Sequence, residues 1–156
     1  MEQFLEHARR VPASEWETPL SPGKWSPAQV AEHLRLTYEV IGRETAGGPG
    51  IRVRTSWWLR MILRLRHLPS ILTLGEIPGG ALAPRELRPG PGPFEREPLL
   101  LALQASASGA EAAMTGSGGK GASGITHHVF GRLRPSEALR FATVHNQHHT
   151  RQITAR

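Results

Sequence analysis

The sequence predicts an all-α fold. Apolar residues recur at spacings of three and four in several segments, two segments open with recognisable helix starts, and no stretch alternates convincingly between apolar and polar residues. The 156 residues fit one domain, 1–156, large enough to bury a core without a disulfide or a cofactor. Hydrophobic residues at 38% and charged residues at 21% match an ordinary globular chain rather than a disordered one, and 17 Gly with 13 Pro call for long loops.

The elements follow in order. Residues 1–10 read as a short helix with Phe4, Leu5 and Ala8 on one side, and Pro12 and Pro19 bound an irregular piece after it. The clearest helix start lies in "KWSPAQVAEHLRLTYEVIGRETAGG". There Ser26 can cap, Pro27 takes the first helical position and Gln29 stands three residues after the cap. Val30, Leu34, Tyr38 and Ile41 then share a face, and the helix should end near Gly47 and Gly48.

"TSWWLRMILRLRHLPS" is a third helical segment, with Trp58, Ile62 and Leu65 apolar and Arg60 and Arg64 on another face. A basic amphipathic helix lying on a membrane has this pattern. A buried bundle helix with arginines at its edge has it too, and that reading is preferred because several other helices need a partner.

Residues 74–93 carry five Pro and five Gly without periodicity, a long loop or lid of the kind that often serves function. Helix resumes in "EREPLLLALQASASGAEAAM", with Leu99, Leu103 and Ala110 apolar, before the turn-rich "TGSGGKGASG". Lys120 among those glycines suggests a phosphate loop, but the Gly-x-x-x-x-Gly-Lys-Ser/Thr order and a preceding strand are both missing. The last segment, "RPSEALRFATVHNQHHTRQITAR", starts at Ser136 or the Pro135 step, with acid early and arginine late.

Composition excludes several chemistries. Without cysteine there is no disulfide, no thiolate ligand and no cysteine nucleophile. "MEQFLEHARR" has no apolar signal core, and no run reaches the roughly 18 apolar residues of a membrane span. A cytoplasmic protein is therefore expected, with no membrane partner. The net charge of +6 rests on 19 Lys+Arg, of which 17 are arginine, in a chain rich in Ala, Gly and Pro. That reads as a coding bias as much as a nucleic-acid footprint, and nucleic acid is not an expected partner.

The chemistry lies in "VHNQHHTRQI". His145 and His149 stand four apart, on one helix face and about 6 Å apart along the axis. Two imidazoles so placed can converge on a divalent ion, whereas His148 is turned about 100° from His149. His33, set among Val30, Leu34 and Tyr38, is the best third ligand. The spacing alone also fits two ordinary surface histidines. Asn146 stands where His-Glu-x-x-His would place its base, so a metalloprotease is excluded.

"KWSPAQVAEHL" followed by "THHVFGRLRPSEALRFATVHNQHHTRQI" resembles the DinB-like superfamily, especially its branch ending His-x-x-His-His-x-x-Gln. The resemblance covers the second helix and about the last thirty residues; the middle matches poorly. It implies an up-and-down four-helix bundle with long Gly/Pro-rich loops, often a homodimer. It also implies a divalent metal, Zn, Ni or Fe, held by His33, His145 and His149. His127 falls where such sequences often carry a histidine before Phe-Gly, which fits a role in positioning the loop or a ligand and fits a solvent-exposed loop histidine equally well, and His128 replaces a common proline. Gln152 is placed to orient His149 or to cap a helix end, and His7 and His67 match nothing.

The best understood members of the superfamily are thiol-dependent S-transferases acting on small molecules, with a small thiol cosubstrate that the metal activates. The lack of cysteine here suits that scheme. Arg60, Arg64 or another loop arginine is a candidate to hold an anionic group of the cosubstrate. Two alternatives stay open: metal-assisted hydrolysis of a small substrate, and a non-enzymatic bundle acting through protein or nucleic-acid contacts.

Overall fold

The computed structural model describes residues 1–53, 55–78, 82–116 and 121–154. It is mostly helical, with α1 (Glu2–Arg10), α2 (Pro27–Thr45), α3 (Trp57–Arg66), α4 (Leu68–Leu74), α5 (Arg96–Thr115) and α6 (Pro135–Thr154). Short 3-10 turns span Ala13–Glu15 and Arg85–Leu87, and a hairpin joins β1 (Ile125–His127) to β2 (Gly131–Leu133). Lys120, which suggested a phosphate loop, lies outside the described residues.

The start of α2 is built as its sequence requires. Ser26 Oγ accepts from the Gln29 N–H at 3.2 Å, and Gln29 Oε1 accepts from the Ser26 N–H at 3.1 Å, a complete capping box. The other end closes with a Schellman motif. Gly48 N–H donates to Arg43 O, Gly47 N–H donates to Glu44 O, and Gly47 takes φ +92°, which only glycine adopts freely. A helix of 19 residues with both ends satisfied is a stiff mount for His33.

The core lies between α2 and α5, with α6 and α1 packed against them. Phe4, Leu5 and Ala8 bury the α1 face, Val30, Leu34, Tyr38 and Ile41 that of α2, and Leu99, Leu103 and Ala110 that of α5. Each fully buried leucine contributes about 1.5–3 kcal/mol of transfer free energy. The 3.6-residue period thus identified these inward faces.

The third segment departs from expectation in two ways. It is two helices rather than one, because Pro69 at the start of α4 has no N–H to continue the α3 ladder, and the break falls at His67. Nor is α3 a buried bundle helix. None of its residues is buried; Trp58, Ile62 and Leu65 are 53%, 47% and 72% exposed. Arg64 turns inward instead, because the hairpin and Glu137 offer it acceptors. Arg64 donates to Arg132 O at 2.6 Å and to Glu137 at 2.7 Å, and the Arg60 stem lies so close to Gly131 that a Cβ there would meet its Cδ at 2.7 Å.

The hairpin is a further correction to a chain read as helix and loop only. Its strands have three residues each, too short for alternation to register, and the turn closes through Gly131 at φ +69°. Glu44, near the C-terminus of α2, accepts from the Thr126 N–H and hydroxyl and from Arg132, which fastens the hairpin to the bundle. At the start of α6, Ser136 does not cap. The helix begins at Pro135, and Glu137 accepts from the Arg134 N–H at 2.8 Å.

Candidate metal centre

Helices α2 and α6 bring His33, His145 and His149 together, with one ring nitrogen from each lying within 4.8 Å of the others. His33 and His149 are buried and His145 partly so. The two α6 rings share a face, one turn apart, as their spacing dictates. His33 comes from about the same height on α2, 112 residues earlier in the chain.

The hydrogen bonds fix what these rings present. His33 Nδ1 lies 2.7 Å from the Leu87 carbonyl, which can only accept, so its hydrogen is on Nδ1. His149 Nδ1 lies 2.8 Å from Gln152 Oε1 and carries its hydrogen for the same reason. Both Nε2 atoms therefore offer lone pairs, and they face His145 Nε2 at 3.4 and 3.0 Å. His145 has at most one hydrogen to give there. A cation satisfies all three nitrogens at once, and a tetrahedral ion with Zn–N bonds of about 2.0–2.1 Å spaces its ligands by about 3.3 Å. The donor set fits a divalent metal.

Electrostatics agree. Burial, above all, lowers the pKa of His33; burial and then the other histidines hold His145 well below the usual range; burial and then His33 bring His149 to about 3. The rings are neutral at physiological pH, as ligands must be.

The centre opens on a cavity of about 850 Å³. Its walls are largely apolar, including Trp25, Ile41, Ile71, Leu87, Phe130 and Phe141. No aspartate or glutamate is among the described residues that line it. The long loop after α4 supplies Ile77, Pro78 and the 3-10 turn at Leu87, whose carbonyl orients His33. The sequence gives no sign of that last contact, since a backbone acceptor leaves no mark in residue type.

The remaining candidates sort by position. His127 lines the cavity with its Nδ1 accepting from the Val129 and Phe130 N–H groups, at 3.1 and 3.3 Å, so it shapes the turn. His128 and His148 are half-buried at the cavity wall, and His148 Nε2 accepts from the Gln152 amide. His67 ends α3 at the cavity edge, whereas His7 is on the surface. Arg60 and Arg64 do not line the cavity: Arg64 is bonded to the hairpin and Glu137, and the Arg60 stem packs on Gly131. Among the described residues the cations that line it are Lys24 and Arg88, which sequence reasoning had not singled out. Tyr38 and Asn146, both buried, exchange hydrogen bonds at 3.0 and 2.7 Å and tie α2 to α6 beside the ligands.

Fold and site together define a helical protein with a three-histidine centre at the wall of an apolar cavity. A family model of the DinB superfamily matches residues 1–153, and the chain belongs to that superfamily. No curated protein and no solved structure gave a significant match.

Proposed function

We propose that this protein binds a divalent metal through His33, His145 and His149 and uses it in a thiol-dependent S-transfer to a small, mostly apolar electrophile. The observation that carries the reading is the convergence of three Nε2 atoms, two with their lone pairs fixed, on the wall of a large apolar cavity. A bound metal would supply Lewis acidity that lowers the pKa of a small thiol, giving a thiolate near neutral pH.

The chain's own residues do the rest. The Leu87 carbonyl and Gln152 hold two ligand rings in register, and the apolar wall excludes water and takes the carbon skeleton of the electrophile. Lys24 and Arg88 place positive charge at the cavity for an anionic group of the thiol cosubstrate. In the transfer the thiol gives up its proton to solvent, sulfur forms the bond to carbon, and the leaving group departs with its electron pair.

The test is metal content followed by turnover. Protein purified without chelator should carry about one divalent ion per chain by elemental analysis, and His33→Ala and His145→Ala should lose most of it. Undiminished metal in both variants would defeat the site. Metal-loaded protein should consume an alkyl electrophile only with added thiol, and turnover with water alone would replace the transferase reading by the hydrolase.

A further inference from the structure

The outward face of α3 is the least explained surface of the molecule. At ~100° per residue, Trp57, Trp58, Met61, Ile62 and Leu65 fall on one face spanning about 140°. Their exposures run from 47% to 72%, while Leu63, Arg60 and Arg64 occupy the opposite, inward side. A continuous stripe of five large apolar side chains, two of them tryptophan, marks an interaction surface rather than scattered surface residues.

Charge identifies the occupant. Between Glu44 and Glu76 the chain carries five arginines, Arg52, Arg54, Arg60, Arg64 and Arg66, and no acid. Exposed Arg66 flanks the stripe and exposed Arg52 lies in the segment leading into it, whereas Arg64 is held by the hairpin and Glu137. A two-fold contact between copies would bring the exposed arginines of two such segments together with no acid in the segment to pair them. An anionic lipid surface instead meets exposed Arg52 and Arg66 with phosphate and receives the two tryptophans at the headgroup level, where amphipathic rings are stable. Among the described residues no helix is long and apolar enough to cross a membrane, so such a helix would lie on the surface rather than span it.

We propose that α3 docks this protein on an anionic lipid surface, with Trp57, Trp58, Met61, Ile62 and Leu65 entering the headgroup–acyl boundary and the exposed Arg52 and Arg66 pairing with headgroups. The expectation of no membrane partner rested on the lack of a signal core and of a spanning run, and the preferred reading of α3 buried its apolar face; that face points outward. Leu63, on the inner side of the same helix, lines the cavity, so docking would bring the cavity wall close to the lipid. The proposal does not depend on the metal reading, because α3 contributes no ligand.

Flotation of the full chain with vesicles tests it. The protein should float with phosphatidylglycerol–phosphatidylcholine vesicles at low salt and not with phosphatidylcholine alone, and its tryptophan emission should shift to the blue. Arg52→Gln and Arg66→Gln should each weaken partitioning about fivefold. The double variant Trp57→Ser, Trp58→Ser should weaken it further, with circular dichroism unchanged because these side chains are exposed. Arg64 is left intact because it holds the hairpin. Failure to float with anionic vesicles would overturn the proposal, as would flotation undiminished in the variants. A stable dimer by sedimentation that Leu65→Glu dissociates would assign the face to a second copy instead.

Discussion

An imidazole offers a lone pair at Nε2 only while its hydrogen stays on Nδ1, and in His33 and His149 the Leu87 carbonyl and Gln152 Oε1 keep it there. Gln152 is thus a positioning residue, exposed enough to change without disturbing the core. Gln152→Leu should lower metal affinity about 10–100-fold, measured by competition with a chromophoric chelator, with the melting profile of the metal-free protein unchanged. Equal affinity in the variant would show that His149 needs no orienting partner. All three candidate ligands were legible as residues, from the four-residue spacing in α6 and from a histidine on an apolar helical face. Their orienting partners were legible only in part: Gln152 stands one turn from His149, whereas Leu87 acts through its backbone.

At the scale of elements, the capping box at Ser26 and the glycine pair after α2 could be read directly, because local hydrogen bonds need only local residues. The inward turn of Arg64 could not. It depends on Glu137 and on the hairpin carbonyls, about 70 residues away in sequence. Burial alone would raise the Glu137 pKa, but hydrogen bonds from the Arg134 backbone and side chain and from Arg64 outweigh it and bring the carboxyl down from 4.5 to about 2. A depressed carboxylate stabilises the fold above its unfolded pKa, and that contribution is lost as pH falls from about 4.5 toward 2. Glu137→Gln should therefore cost about 2 kcal/mol at neutral pH, with the gap to the parent closing across that window in urea melts. A gap independent of pH would mean that the ionised form is not what matters.

For the whole molecule, a centre shared by α2 and α6 couples ligand binding to the packing of the bundle. The histidines converge only when the two helices are docked, so a metal that binds the folded state adds stability by mass action, about 2.7 kcal/mol at one hundred times its dissociation constant. Adding divalent metal to chelator-treated protein should raise Tm, and His145→Ala should abolish the rise. An equal rise in that variant would place the ion elsewhere.

The sequence by itself determined the helical class, the inward faces of α1, α2 and α5, both ends of α2 and the identity of the three histidines. Each of these follows from periodicity or from contacts within a few residues, which a linear chain displays openly. Tertiary structure alone decided that the loop at Leu87 orients His33, that a hairpin lines the cavity, and that α3 turns Arg64 inward and its tryptophans out. The physical reason for α3 is specific. Its amphipathic pattern has two faces that local sequence leaves equivalent, and the choice falls to whichever side meets acceptors for the Arg64 guanidinium, a fact held by residues of β2 and α6.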